Sequence, residues 1–176
     1  MISLIVAYAQ NFVIGKDGKI PWDLEDDRQH FKELTLGSVL VMGRLTFEEI
    51  YKKFNKGLPG RETIIISKTK AFNGENYQTV ESLQAALERA EKQFPEKNIF
   101  ICGGESVYNE ALKLKLPEKL YITEIKLPQP IEGDTFFSQF YQKNYIMEEC
   151  REIENPIPHK FIVYKAAGER LSGQVR

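Results

Sequence analysis

Ile20-Pro21-Trp22-Asp23-Leu24-Glu25-Asp26-Asp27-Arg28-Gln29-His30-Phe31-Lys32 is the stretch around which the rest of the chain must be arranged. Pro21 fixes its own φ and pushes Ile20 toward extended backbone, so a helix begins only after it. Asp23 is the candidate N-cap, and Asp26, three residues on, can answer it as in a capping box. Leu24, Asp27, Phe31 and Leu34 then fall at i, i+3, i+7 and i+10, one helical face that is apolar except for Asp27. Asp26 turns to the wet side with His30 and Glu33. Both aspartates complement the positive end of the helix dipole, which accounts for Asp26. It does not account for Asp27, because an acid among core positions is costly unless it binds something. Asp27 is therefore the candidate functional acid.

Working outward, residues 2–9 before this helix and 39–42 after it are apolar runs of strand length, too short for helices. Residues 10–19 read as a loop, with turn signals at Gly15 and Asp17-Gly18, and Gly37 closes the helix. The alternation continues. A helix starts near Thr46 as a candidate cap, 63–67 is a strand, and 80–94 carries apolar residues at helical spacing. Residues 99–102 form another strand, Val107, Tyr108, Ala111 and Leu112 mark a helix, and 120–125 is a strand. Two last strand-like runs, 145–150 and 161–166, have no helix between them and should pair antiparallel at one edge. The expected fold is α/β. It is a single domain with a central, mostly parallel mixed sheet of about eight strands, an antiparallel C-terminal edge and helices on both faces. The domain spans 1–167, and 168–176 is a polar tail.

Composition narrows the function. A chain of 176 residues suits one domain with a real core. A net charge of -1 gives no bulk attraction to nucleic acid or anionic membrane, and no apolar run reaches transmembrane length. No basic segment precedes the first apolar run, so a cytoplasmic location is expected. Cys102 and Cys150 are far apart, and His30 and His159 are solitary, which gives neither a disulfide framework nor metal-ligand spacing. No metal is expected.

Three further stretches carry chemistry. Cys102-Gly103-Gly104 lies between a buried strand and a helix, where backbone N–H groups meet anions, although a bare glycine pair also suits a tight turn. Arg44 follows a buried strand, at the carboxyl edge where open α/β sheets bind ligands. Arg61 follows a Pro-Gly turn, where a fixed guanidinium can take a carboxylate bidentately.

These stretches fall in an order that resembles dihydrofolate reductase of the bacterial chromosomal type, over residues 1 to about 166. The resemblance rests on Ile14-Gly15, on Pro21-Trp22-x-Leu24 with Asp27 and Phe31, on Val41-Met42-Gly43-Arg44-x-Thr46-Phe47, and on Leu58-Pro59-Gly60-Arg61. It continues through Ile101-Cys102-Gly103-Gly104 with Val107-Tyr108, Tyr121-Ile122-Thr123, and Glu132-Gly133-Asp134-Thr135. It implies NADPH-dependent reduction of 7,8-dihydrofolate to 5,6,7,8-tetrahydrofolate, by hydride transfer to C6 and protonation at N5.

On that resemblance Asp27 grips the pterin with support from Thr123, and Trp22 joins it in the catalytic set. Ile5, Ala7, Phe31, Ile50, Leu58 and Cys102 line the substrate, and Arg61 takes its α-carboxylate. The cofactor set is Ala7, Ile14, Gly15, Gly43, Arg44, Thr46, Ser67, Lys68, Cys102, Gly103, Gly104 and Tyr108. The resemblance further implies a cis Gly103–Gly104 peptide, a mobile loop from Gly15 to Trp22, antifolates as inhibitors and a monomer. Ile20 stands where the family often has methionine, Arg28 where it often has an apolar residue, and Cys102 where it has an aliphatic one. Arg28 is expected to reach the substrate's glutamate tail. Ser106 stands where an arginine is frequent, and residues 51–57 are longer than in compact relatives. Two rivals are a riboflavin-pathway pyrimidine reductase and a non-catalytic folate or nucleotide binder. The Trp22, Asp27 and Arg61 set disfavours the first, and the intact Asp27 the second.

Overall fold

Apolar runs without alternation need cover on both faces, which a parallel sheet between helices supplies. The computed structural model describes residues 1–168, and beyond Gly168 the expected polar tail lies outside them. In chain order the elements are β1 (Ile2–Tyr8), β2 (Val13–Gly15), α1 (Glu25–Thr35), β3 (Val39–Gly43), α2 (Arg44–Phe54), β4 (Glu62–Ile66) and β5 (Tyr77–Val80). They continue with α3 (Leu83–Gln93), β6 (Ile99–Ile101), α4 (Glu105–Lys113), β7 (Lys119–Ile125), β8 (Thr135–Phe136), β9 (Tyr145–Ile153) and β10 (His159–Ala166).

The main sheet has eight strands in the order β5-β4-β3-β6-β1-β7-β10-β9. Pairing is parallel from β5 to β7, and β10 runs antiparallel to both β7 and β9. The antiparallel C-terminal edge and the helices on both faces are as the sequence implies. Strand side chains alternate faces, so neighbours in one strand serve different cores. Leu4, Val6, Val39, Val41 and Ile64 pack against α3 and α4 through Leu83, Ala86, Val107 and Ala111. Ile5, Leu40, Met42 and Ile65 pack on the other face against Phe47 of α2, with Phe31 and Leu34 of α1 beside them.

Local expectations needed correction in several places. Asp23 is not the cap of α1. Leu24 occupies that position without a side-chain cap bond, and the Asp23 carboxylate is ion-paired with Arg28 instead. The capping box with Asp26 is therefore not formed. Thr46 does not cap α2, which starts directly after β3 with Gly43 as its N-cap. The apolar period that suggested a helix from 80 begins only at Leu83. Tyr77–Val80 is an edge strand parallel to β4, and Ser82 caps α3 by accepting from the Ala85 N–H at 3.0 Å. Aromatic and β-branched residues in Tyr77-Gln78-Thr79-Val80 suit that strand.

Residues read as loops also hold a small two-stranded sheet of β2 and β8. Asp17 N–H donates to Asp134 Oδ2 at 2.8 Å, and Phe137 N–H to Phe12 O at 2.8 Å, so the segment before α1 is tied to the one after β7. Gly37 ends α1 as expected: it lies at φ +80°, past the C-cap Leu36, where a side chain would be strained.

Ser82→Ala is expected to lower stability by about 1 kcal/mol, the usual scale for a lost N-cap. Urea unfolding should show a lower midpoint with an unchanged slope.

Candidate active site

The site is built at the carboxyl ends of the central strands, the ligand edge of an open α/β sheet. α1 crosses that edge. Its buried Leu24 packs with Ala9, Ile125 and Leu127, with Ala7 and Trp22 at the rim. Phe31 and Leu34 follow on the same face, against a cluster that includes Ile5, Ile50, Leu58 and Cys102. Asp27 lies between these two apolar groups, half-buried. Ala7 of β1 and Phe161 of β10 are the register partners of Thr123, which puts Thr123 in the strand between them.

Burial pushes the Asp27 carboxyl above the ordinary aspartate range; a hydrogen bond from Thr123 and the charge of His159 oppose that rise. Its neighbour Asp26 is exposed, as the helical face predicts. Cys102 Sγ–H donates to Phe100 O at 3.4 Å, and burial holds its thiol well above the usual range, so it serves as a small apolar wall.

Arg61 stands beyond the other end of α1 and is only 7% exposed. Its Nε–H donates to Pro59 O at 3.0 Å, and a guanidinium N–H to Thr35 Oγ1 at 3.4 Å. Thr35 in turn donates to Phe31 O at 2.7 Å, so the last turn of α1 fixes the arginine. Burial pulls the guanidinium below its ordinary value, but arginine stays charged in proteins. Among the described residues no carboxylate is ion-paired with it. A buried, anchored cation without a counter-ion is suited to receiving an anion from outside.

Two helix N-termini meet beside this trough. Gly43 caps α2 and Gly104 caps α4, and Gly43 N–H donates to Gly103 O at 2.8 Å. A Cβ on Gly43 would lie 3.7 Å from Gly104 N, and one on Gly104 would lie 3.5 Å from Thr46 Oγ1. The starts of α2 and α4 thus lie side by side, and helix starts with free backbone N–H groups suit a phosphate. The Gly103–Gly104 peptide is cis, with Gly103 at φ +103°. A side chain at Gly103 would come within 2.9 Å of the Tyr108 ring, which is itself pinned by its hydroxyl donating to Ile5 O at 2.7 Å.

Further out, Arg44 pairs with Glu48 at 2.9 Å, and Lys70 reaches the same Glu48 at 3.7 Å. Ser67 Oγ accepts from the backbone of Thr69 and Lys70, while Lys68 is exposed. Lys16, Asp17, Lys19, Ile20, Pro21, Trp22 and Asp23 line an open cleft of about 640 Å³. Ile14 and Gly15 enter through β2.

Asp27, Thr123, Ile5, Ala7, Phe31, Ile50, Leu58 and Cys102 therefore come together, with Arg61 at one end and the glycine pair at the side. Arg28 does not extend along the trough, because Asp23 holds it. Sequence reasoning missed Thr35, Lys70 and His159. Thr35 could have been found, since it continues the face of Phe31 one turn on; the other two give no local signal. Among the described residues no group of His, Cys, Asp and Glu could hold a metal ion.

The sequence model of a family described as dihydrofolate reductase matches residues 1–166. The dihydrofolate reductase of Staphylococcus haemolyticus is 33% identical over 168 residues, covering 93% of this chain and 95% of its own. That of Bacillus subtilis (strain 168) is 30% identical over 177 residues, covering 98% and 99%. Dihydrofolate reductase type 3 of Salmonella typhimurium is 40% identical over 140 residues, 80% of each chain. Among solved structures, dihydrofolate reductase from Enterococcus faecalis complexed with NADP(H) and RAB-propyl superposes with a TM-score of 0.82. It is 31% identical and covers 96% of this chain and 97% of that one.

Thr123→Val is expected to raise the Asp27 ionisation midpoint further. It removes a hydrogen bond to the anion and leaves the burial in place. Carboxyl ¹³C shifts followed against pH measure it, and a midpoint that stays or falls would show that Thr123 is not the group stabilising the anion.

Proposed function

The chain belongs to the dihydrofolate reductase family, and on that premise we propose how its residues divide the NADPH-dependent reduction of 7,8-dihydrofolate to 5,6,7,8-tetrahydrofolate. One observation carries the assignment. A half-buried carboxylate and a buried, unpaired guanidinium lie at opposite ends of one helix, with apolar residues between them. The substrate has the complementary order: a ring edge rich in N–H donors, apolar rings and a terminal carboxylate.

Asp27, ionised and backed by Thr123, accepts the pterin's 2-amino group and ring N–H. Ile5, Ala7, Phe31, Ile50, Leu58 and Cys102 hold the pterin and benzoyl rings by shape. Arg61 takes the α-carboxylate through the guanidinium edge not used by Pro59 and Thr35. Arg28, when released from Asp23, is in reach of the glutamate tail. NADPH, when bound, supplies the hydride that adds to C6.

The residues fit that cofactor. The converging starts of α2 and α4, with Gly43, Thr46, Gly103 and Gly104, suit its pyrophosphate. Arg44, Ser67 and Lys68, with Lys70 beside them, suit the adenosine 2′-phosphate, and Ala7, Ile14, Gly15, Cys102 and Tyr108 are assigned to the nicotinamide. Gly15 to Trp22 covers the reacting rings and keeps bulk water out. The proton for N5 comes through ordered water, because Asp27 grips the far edge of the pterin and no second acid is assigned to the site. An anion on that edge makes the protonated ring less costly to form. No described helix is long and apolar enough to cross a membrane. The enzyme works as a cytoplasmic monomer.

NADPH absorbance loss on addition of dihydrofolate tests the reaction, and two side chains test its parts. Asp27→Asn should lose at least ~10²-fold in turnover at neutral pH, the usual scale of acid–base assistance, whereas Asp26→Asn should change it by no more than a few-fold. Equal effects would reject the assignment of Asp27. Arg61→Ala should weaken dihydrofolate, seen as a higher KM, by ~2–5 kcal/mol, the range for one partner of a buried charge pair. A substrate truncated to the pterin should be unaffected. If both substrates lost equally, Arg61 would not be the carboxylate's partner.

A further inference from the structure

Arg44 is the first residue of α2, and no acid stands in that first turn. A cation at a helix N-terminus opposes the helix dipole, and a cation one turn before an anion is the weaker order for an i,i+4 pair. Helix stability therefore gives no reason for Arg44 and Glu48 to stand in this order. Their contact is nevertheless close: an Arg44 guanidinium N–H donates to Glu48 Oε1, with Nη1 at 2.9 Å. The Glu48 side chain is the more sheltered of the two, 19% exposed against 34%.

The same carboxylate oxygen takes a second cation from elsewhere in the fold. Gly43 of β3 and Ile66 of β4 are register partners, so the chain leaves both strands at one edge. Beyond β4, Ser67 Oγ accepts from the N–H groups of Thr69 at 3.3 Å and Lys70 at 3.1 Å, which folds the segment into a turn. Lys70 Nζ then lies 3.7 Å from Glu48 Oε1 and 4.8 Å from the Phe72 ring centroid. Phe72 packs on Phe47 and Tyr51 of α2, with centroids 5.3 Å and 5.6 Å apart. One carboxylate thus bridges a cation from the start of α2 and a cation from the loop after β4. Both belong to the group that suits the adenosine 2′-phosphate.

We propose that Glu48 is a specificity-determining residue for the cofactor: its carboxylate occupies Arg44 and Lys70 as an internal counterpart of the 2′-phosphate, and so limits how strongly NADPH is preferred over NADH. A 2′-phosphate meets two cations that an anion already neutralises. It gains the difference between its own bonds and those it replaces, and the displaced carboxylate stays on α2, where it repels the phosphate. NADH lacks that phosphate and leaves the bridge in place.

This proposal rests on Arg44 and Lys70 being partners of the 2′-phosphate, so that reading is tested apart from it. The probes are adenosine 2′,5′-bisphosphate and AMP, titrated into the full-length protein by calorimetry, with NADPH and NADH followed through the fluorescence of Trp22, the single tryptophan. Arg44→Ala should weaken the bisphosphate and leave AMP unchanged. Equal losses on both reject the 2′-phosphate site and the proposal with it. Glu48→Gln should tighten the bisphosphate and NADPH by roughly 3- to 10-fold, within the range of two partly exposed ion pairs, and leave AMP and NADH unchanged. The gain should shrink at high salt, as screened charges require. Glu49→Gln removes the same charge one residue along, from an acid paired with Lys52 at 3.3 Å, and should give no comparable gain. In the native protein the bisphosphate should move the Glu48 carboxyl ¹³C resonance, and AMP should not. With Arg44→Ala behaving as stated, any of three results overturns the proposal while the 2′-phosphate site stands. They are an unchanged or smaller bisphosphate-over-AMP ratio in Glu48→Gln, an equal gain in Glu49→Gln, and a Glu48 resonance that does not respond to the bisphosphate.

Discussion

A carboxylate on the apolar face of a helix is a costly placement, and burial there raises the Asp27 pKa although a hydrogen bond from Thr123 opposes the rise. Asp27 loses hydration between Leu24 and Phe31, and Thr123 and His159 offset part of that loss. Each partner comes from a different part of the fold: Thr123 from β7, at the sheet's inner parallel strands, and His159 from β10, the first antiparallel one. The register that sets Ala7 and Phe161 on either side of Thr123 is thus a requirement of the acid as much as of the sheet.

The far end of the same helix solves the opposite problem. Arg61 is buried, and among the described residues no carboxylate pairs with it, while Pro59 O and Thr35 Oγ1 accept from it. Charged groups are seldom so deeply buried unless paired, and here the missing partner belongs to the substrate. One rigid α1 between the acid and the cation fixes the distance at which a ring edge and a carboxylate must be presented. A long, bipolar ligand is selected over any small heterocycle that satisfies Asp27 alone.

The cofactor side depends on backbone instead of side chains. With Gly43, Gly103 and Gly104 at the starts of α2 and α4, the two N-termini approach within a distance that side chains would fill. Tyr108 closes the space behind Gly103 and is anchored to β1 through Ile5 O. The same strand that supplies Ile5 and Ala7 to the substrate therefore fixes the cradle for the phosphates.

Much of this was legible in the sequence, because it depended on short-range pattern. The apolar runs specified buried strands, the period of Leu24, Asp27, Phe31 and Leu34 singled out one acid of two, and the helix-free connection between the last two strands put an antiparallel pair at the C-terminal edge. Caps and edges were not legible in the same way. Asp23 has the chemistry of an N-cap but found a stronger partner in Arg28, and Tyr77–Val80 became a strand because β4 offered an open edge. Thr35, Lys70 and His159 were beyond local reading for a similar reason. Each acquires its meaning from a residue distant in the chain: Arg61, Glu48 and Asp26 respectively. Sequence by itself determined which faces must be dry and which acid cannot be merely structural, since those follow from periodicity and desolvation. Only the tertiary structure decided which charges meet, because an ion pair depends on ångström-scale approach between elements whose relative placement no local pattern encodes.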